Sequence, residues 1–445
     1  AVALERPGPP VCPGQASGAA SRMDSESARL SRAPARGPVN AHAAEKLAKG
    51  LLRDPEIRAA VRTIRREDPR TVEDQVRLAS IPAPPFQEAE RGREMARLME
   101  EASGRRALTD DAGNVRVSLG PDGPRPLVIS AHLDTVFSVD QEIRIRRERD
   151  RWVGPGVADD ARGLAVLLAV LRTLVRGPGT RQLPIVAVAT VGEEGLGDLR
   201  GVRHLFSAGG DLRDARAFVS LDGAGSRRVI ASGVGSRRLR VTVRGPGGHS
   251  WVDWGRVNPI QILAAALAEA ERLPLPAGST FNVGRVGGGT SVNAIPTEAW
   301  AEVEVRSEHE EDLVELDKRL RVVFRDVVRH RNGEAARRRP EEAALEVEQI
   351  GRRPAGHTDP DSQLVRAAMA STRAVAGHAE LATSSTDANY PMHVGIPAIT
   401  LGAGGEAGMA HTPDEWYRNV GGPDGTLRAY LTLLVLDRMT SADRA

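Results

Sequence analysis

The chain has 445 residues, more than one hydrophobic core usually organises, so two domains are expected. Hydrophobic residues make up 40% and charged residues 27%, as in ordinary globular proteins, and aromatics at 3% leave the core to aliphatic side chains and alanine. The net charge is only +2, with arginines interleaved among acids as in residues 144–151, so no single-sign stripe forms and a nucleic-acid partner is not expected.

Cys12 is the single cysteine, which rules out a disulfide framework and a thiolate zinc site. The longest apolar run, around Leu164–Leu171, falls short of the roughly 20 residues that cross a bilayer. The start of the chain has no charged segment followed by an apolar stretch, so no secretory signal is read there. A cytoplasmic location is expected.

Residues 1–40 are rich in Pro, Gly, Ala, Ser and Arg without apolar periodicity and predict a disordered tail, inside which Met23 lies. From residue 41 helix-like and strand-like segments alternate. Ala43–Leu52, Val72–Ser80 and Phe86–Ala102 predict helices, the last clearly amphipathic. Pro126–Ser130 and Leu183–Val191 predict buried strands, separated by an apolar helix over Gly163–Val175; Ala217–Leu221 predicts a third such strand. Apolar strands alternating with helices imply an α/β sheet covered on both faces.

The pattern changes near residue 236. Leu239–Arg244 alternates apolar and charged residues, as a half-exposed strand does. A helix over Pro259–Leu273, strands at Thr280–Val286 and Ala299–Arg306, a charged helix near Glu311–His330 and a strand at Leu345–Ile350 follow. This β-α-β-β-α-β order is that of a ferredoxin-like unit. The buried α/β style returns from about residue 357 and ends in a helix over Gly425–Met439. The expected organisation is therefore a larger domain built from 41–235 and 353–445, with a smaller α+β domain, 236–352, inserted into it.

The chemistry-bearing residues fall at the ends of the buried strands. His132 and Asp134 follow the first, Asp159 and Asp160 close the loop before the apolar helix, and Glu193 and Glu194 follow the second strand. Asp222 follows the third, and His411 lies in Ala410–Glu415 near the end of the chain. The crevice beyond the strand C-termini is where open α/β sheets bind ligands. Each element alone has an ordinary reading: a His–Asp hydrogen bond, a helix cap at Asp159–Asp160, a solvated acidic pair, an Asp-Gly turn. Together, two His and several carboxylates without Cys form a nitrogen and oxygen donor set suited to zinc, with cobalt or manganese as substitutes. Paired divalent ions lower the pKa of a bound water towards about 7. A carboxylate not spent on metal then takes its proton. The adjacent Glu193 and Glu194 suit that division of labour.

The segments HLDT, GPGVADD, GEEGLGDLRG, SLDG, GPGGHS, GGGTSVNAIP, STDANYPMHVGIPAIT and AHTPDEW, in this order, resemble the zinc exopeptidase and amidohydrolase family. That family contains peptidase T, carboxypeptidase G, acetylornithine deacetylase and aminoacylase. The resemblance spans roughly residues 45–440. It implies a zinc-exopeptidase-like catalytic domain, a mixed sheet flanked by helices, with the inserted ferredoxin-like unit as a lid or dimerisation domain. It implies two zinc ions per chain, held by His132, Asp159, Glu194, Asp222 and His411, with Asp159 bridging and Asp134 orienting His132. Glu193 would be the general base. His249 matches a lid histidine that stabilises the oxyanion, often from the partner subunit of a homodimer. Asn293 and Arg306 match lid positions that bind substrate; Arg306 reads equally as a strand residue facing water. Ser385-Thr386-Asp387 resembles a loop near the active site. Where the family often has Lys after the bridging Asp, this chain has Ala161-Arg162.

The resulting expectation is a two-zinc metallohydrolase cleaving short peptides as an exopeptidase. N-acyl amino acid deacylation is the alternative activity, and a metal-free binding or scaffold member the alternative class.

Overall fold

Short, mostly apolar strands form the middle of a mixed nine-stranded sheet in the computed structural model, which describes residues 41–442 except positions 122, 181 and 182. The expected tail lies outside the described residues. Leu127–His132 is the centre of this sheet, parallel to Ile185–Thr190 on one side and to Ala217–Leu221 on the other. Ala398–Leu401 continues the parallel run beyond Ala217–Leu221. Antiparallel strands flank this run, Val115–Leu119 beside Ile185–Thr190 and Arg228–Gly233 beside Ala398–Leu401. Every residue of the three central strands is buried, because both faces are covered. Leu127, Ile129 and Ala131 enter the larger core, with the helices Ala161–Arg176 and Gly422–Ala442; Val128 enters the smaller core on the other face, with Phe206 and Phe218.

Pro55–Arg66 forms a helix that the periodicity reading passed over. Its signals are local: Asp54 accepts hydrogen bonds from the amides of Glu56 and Ile57, and Pro55 opens the helix. A four-stranded antiparallel sheet also escaped that reading. It pairs Trp416–Arg418 with Arg151–Val153, so segments more than 250 residues apart become neighbours. Short charged strands of three residues carry too little periodicity to be read alone.

Apart from the two-residue strands Gly248–His249 and Ala294–Ile295, the segment Gly235–Arg353 runs in the order β-α-β-β-α-β. Its strands run Thr280–Gly288, Glu298–Ser307, Gly235–Arg244, Ala344–Arg353 across the sheet, all antiparallel. Leu239, Val241, Val243, Ala301, Val303 and Val305 point to one face, where Leu316, Leu320 and Phe324 of the helix Glu310–Ala336 cover them in a core of their own. The other face carries charge in register. Arg238 stands opposite Glu304, Arg240 opposite Glu302 and Arg244 opposite Glu298. Each pair closes into an ion pair of 2.7–2.9 Å.

Among the described residues no helix is long and apolar enough to cross a membrane.

Candidate metal centre

The fold delivers the expected residues to one edge of the nine-stranded sheet. His132 is the last residue of its strand, Asp222 follows Leu221, and Glu193 and Glu194 lie just beyond the strand Ile185–Thr190. These three strands are parallel, so their C-terminal ends open on the same side. His411 comes from the loop between the short strands Glu406–Gly408 and Trp416–Arg418. Its φ of 63° lies in the left-handed region, which costs a side-chain-bearing residue on the order of 1–2 kcal/mol.

Asp159 is the hub. One carboxylate oxygen stands 3.1 Å from Nε2 of His132, and the other 3.2 Å from Nε2 of His411. His411 Nε2 is also 3.1 Å from a carboxylate oxygen of Glu194. Donor atoms of His132, Asp159 and Asp222 lie within 4.8 Å of one another, as do those of Asp159, Glu194 and His411. Asp159 thus belongs to two three-donor groups, which is the layout a bridging carboxylate needs. A third group joins His132, Glu193 and Glu194.

Asp160 does different work. Its carboxylate accepts from the amides of His132 at 3.0 Å, Gly163 at 3.0 Å and Gly223 at 3.3 Å. It caps the helix Ala161–Arg176 and ties two strand ends together. A side chain at Gly163 would collide with this carboxylate. Asp134 meets Nδ1 of His132 through its backbone carbonyl at 3.0 Å, with a carboxylate oxygen at 3.8 Å. The carboxylate accepts from the amides of Glu193 at 3.0 Å and Glu194 at 2.7 Å. The two glutamates are therefore set by Asp134.

The charge balance of the cluster is unusual. Burial, reinforced by the charge of Asp159, pushes the Asp222 carboxyl up to about 7. Burial likewise lifts Asp387 to about 6 and holds Glu193 well above the ordinary glutamate range, against the opposing pull of Arg353. Burial acts on Asp159 in the same direction, but its hydrogen bonds to His132 and His411 outweigh it and leave this carboxyl below the usual range. In return, hydrogen bonds to Asp159 and Glu194 push the His411 imidazole up to about 10. Buried carboxylates in excess, answered by imidazoles that they hold protonated, are what a cation site looks like in protonic form. The nitrogen and oxygen donors suit zinc, so the residues present fit a pair of divalent ions.

One neighbour, Arg353, escaped the sequence reading, and a second, Asp387, was given there only as part of a loop near the active site. Arg353, the last residue of its strand, donates from Nη1 to the Glu193 carboxylate at 2.8 Å and from Nη2 to the Glu193 carbonyl. Both side chains are buried. Nothing local in the sequence marks an arginine that meets its partner 160 residues away. Asp387, only loosely placed by its motif, accepts from the Thr190 hydroxyl at 2.5 Å at the end of the adjacent strand. Arg162 is fully buried and donates to the carbonyls of Ala403 and Gly422, a scaffolding position.

His249, Asn293 and Arg306 stand apart from this cluster in their contacts. His249 is exposed in a two-residue strand paired with Ala294–Ile295, and its amide donates to Asp253. The Asn293 carbonyl accepts from the Ser250 amide. Arg306 pairs with Glu304 at 2.8 Å on the charged face of its sheet.

Comparison with known proteins gives the family. A family model described as peptidase family M20/M25/M40 matches residues 128–434, and the chain belongs to that family. It is a hydrolase of the metallopeptidase class. Protein YqjE of Bacillus subtilis is 25% identical over 315 residues, covering 68% of this chain and 79% of that protein. Carboxypeptidase G2 of a Pseudomonas species is 28% identical over 200 residues, 43% of this chain and 46% of that enzyme. The chain thus spans about half the length of the carboxypeptidase. A tripeptidase from Staphylococcus aureus superposes with a TM-score of 0.67 at 21% identity, over 83% of this chain and 98% of its own. YXEP of Bacillus subtilis, described as a dinuclear metal binding peptidase of the M20 family, gives 0.56 at 18% identity, over 83% and 97%. At these identities the superpositions establish the shared fold.

Proposed function

We propose that the chain is a two-zinc exopeptidase acting on short peptides, with Glu193 as its general base. The observation that carries this reading is the Asp159 carboxylate, whose two oxygens face two different imidazoles. His132 and Asp222 would hold one ion, Glu194 and His411 the other, and Asp159 both. Two such ions supply Lewis-acid polarisation of a substrate carbonyl and a water acidic enough to lose a proton near neutrality.

The chain's own residues do the rest. Glu193 takes the proton from the attacking water and delivers it to the leaving amine nitrogen. Arg353 opposes the rise that burial imposes on the Glu193 carboxyl, which favours its basic form, and fixes its direction. Asp134 holds the backbone amides of Glu193 and Glu194, so that base and ligand keep separate aims. His249 stabilises the oxyanion, with Asn293 and Arg306 contacting the substrate.

In this reading the segment 236–352 is a lid and dimerisation domain between two parts of a catalytic domain, 41–235 and 353–445, in a cytoplasmic homodimer. Its edge strand Thr280–Gly288 supports pairing with a second copy, since it leaves Val283 and Val286 exposed. A lid residue supplied by that copy accounts for His249 lying away from its own cluster.

The deciding experiment is turnover of di- and tripeptides beside acetylated and succinylated amino acids, with and without chelator. Chelator-sensitive peptide cleavage is expected. Turnover of acyl amino acids alone would replace the peptidase by a deacylase, and no turnover with fewer than one ion per chain would favour a scaffold.

A further inference from the structure

Glu415 lies in the loop that carries His411, yet its side chain belongs to a different segment. It is fully buried. One carboxylate oxygen accepts from the amides of Ala158 at 2.7 Å and Asp159 at 2.8 Å; the other accepts from the amide of Gly156 at 3.0 Å. Its carbonyl accepts from the Gly154 amide at 2.8 Å. A single residue thus takes four backbone donors from the six residues that end in Asp159.

This arrangement exceeds what holding the two segments together requires. Trp416–Arg418 already pairs with Arg151–Val153 through the strand ladder next door. The carboxylate is spent on the last turn of the loop, where it fixes the peptide plane from which the Asp159 side chain leaves. A carboxylate buried close to Asp159 carries a like-charge penalty that a neutral acceptor would avoid. Only an anion, however, accepts on both oxygens at once without presenting a donor of its own.

We propose that Glu415 is a positioning residue that sets the Asp159 carboxylate between the two histidine-bearing segments. Three residues separate it from His411, so one short stretch holds both the hub and one of the imidazoles that the hub faces. The inference rests on the two-ion reading of Asp159. Groups that orient metal ligands from behind typically change metal affinity by about 10–100-fold when altered.

The test is Glu415→Gln, which keeps the shape but turns one acceptor into a donor facing an amide. Zinc affinity is measured by chelator competition, the visible spectrum is recorded after cobalt loading, and circular dichroism checks the fold. The expected result is a folded protein binding zinc about 10–100-fold more weakly, with altered cobalt bands. A folded variant with wild-type affinity and an unchanged cobalt spectrum overturns the role of Glu415. A wild-type protein that loads fewer than two ions overturns instead the two-ion reading beneath it. Should the glutamine variant not fold, Glu415→Asp, with the charge kept and one methylene removed, carries the same measurement. Failure of both to fold assigns Glu415 to the scaffold and overturns the inference.

Discussion

Two regions of this molecule carry dense charge and handle it in opposite ways. On the outer face of the four-stranded sheet every carboxylate of the row has an arginine: Arg240 meets Glu302, Arg244 meets Glu298, and Arg238 and Arg306 share Glu304, which they hold below the ordinary range despite its partial burial. At the edge of the nine-stranded sheet, Asp159, Asp160, Glu193, Glu194, Asp222 and Asp387 gather with Arg353 as the arginine that pairs directly with one of them, and burial raises Asp160, Glu193, Asp222 and Asp387. A charge set that is complete needs nothing more. A carboxylate excess that is buried at a cost is retained for something not supplied by the chain, and divalent cations are the fitting complement.

The contrast is sharpened by loss of the proposed base. Glu193→Gln should lower kcat by about 10²–10⁴-fold while metal analysis still finds both ions. Glu302→Gln, on the self-neutralised face, should leave kcat as it was. Equal effects of the two substitutions would break the comparison.

Next in size is loss of the hub. Asp159→Ala should remove both ions together, because the same carboxylate serves both groups of donors. Elemental analysis of the purified variant checks this, and retention of one full equivalent would show that the two groups are independent.

A smaller effect concerns the metal-free protein. The Asp222 carboxyl is raised to about 7, so it favours the folded state below its unfolded value near 4 and loses that advantage as pH rises through about 7. In chelator, Asp222→Asn should therefore be the more stable protein at about pH 8, by on the order of 2 kcal/mol, and not at about pH 4. The same variant should bind metal more weakly. Urea titrations across that range test the sign, and a variant less stable than wild type at the upper end contradicts it.

The smallest effect belongs to the balanced face. The Glu304 carboxyl is lowered by Arg306 and Arg238 against the effect of burial, so its stabilisation is present above the unfolded pKa and fades as pH falls through the folded value. Glu304→Gln should cost less than about 1 kcal/mol at neutral pH and nothing in acid. Thermal midpoints at the two pH values measure it.

Much of this was legible in one dimension. Mostly apolar strands announced a covered sheet, and the change to alternating apolar and charged residues near 236 announced the second sheet, because side-chain period follows directly from backbone geometry. His132, Glu193, Glu194 and Asp222 could be picked out because each follows such a strand. The helix Pro55–Arg66 was readable from Asp54 and Pro55 and was missed for want of weighing its cap. Arg353 and Glu415 were not readable in that way, since their partners lie 160 and more than 250 residues away. Asp134 had the right neighbourhood, but which of its oxygens faces His132 depends on a turn that only the folded chain defines.

Periodicity, strand-end placement and donor chemistry are local properties, so the residue types at the sheet edge and the two styles of sheet followed from the sequence alone. Direction and pairing are not local. The task of Asp160 in tying two strand ends together, the capture of Glu193 by Arg353 and the grip of Glu415 on the loop before Asp159 arise only when distant segments are packed together. Burial then removes water as the competing partner, and each carboxylate is left with whatever donors the fold has placed within reach.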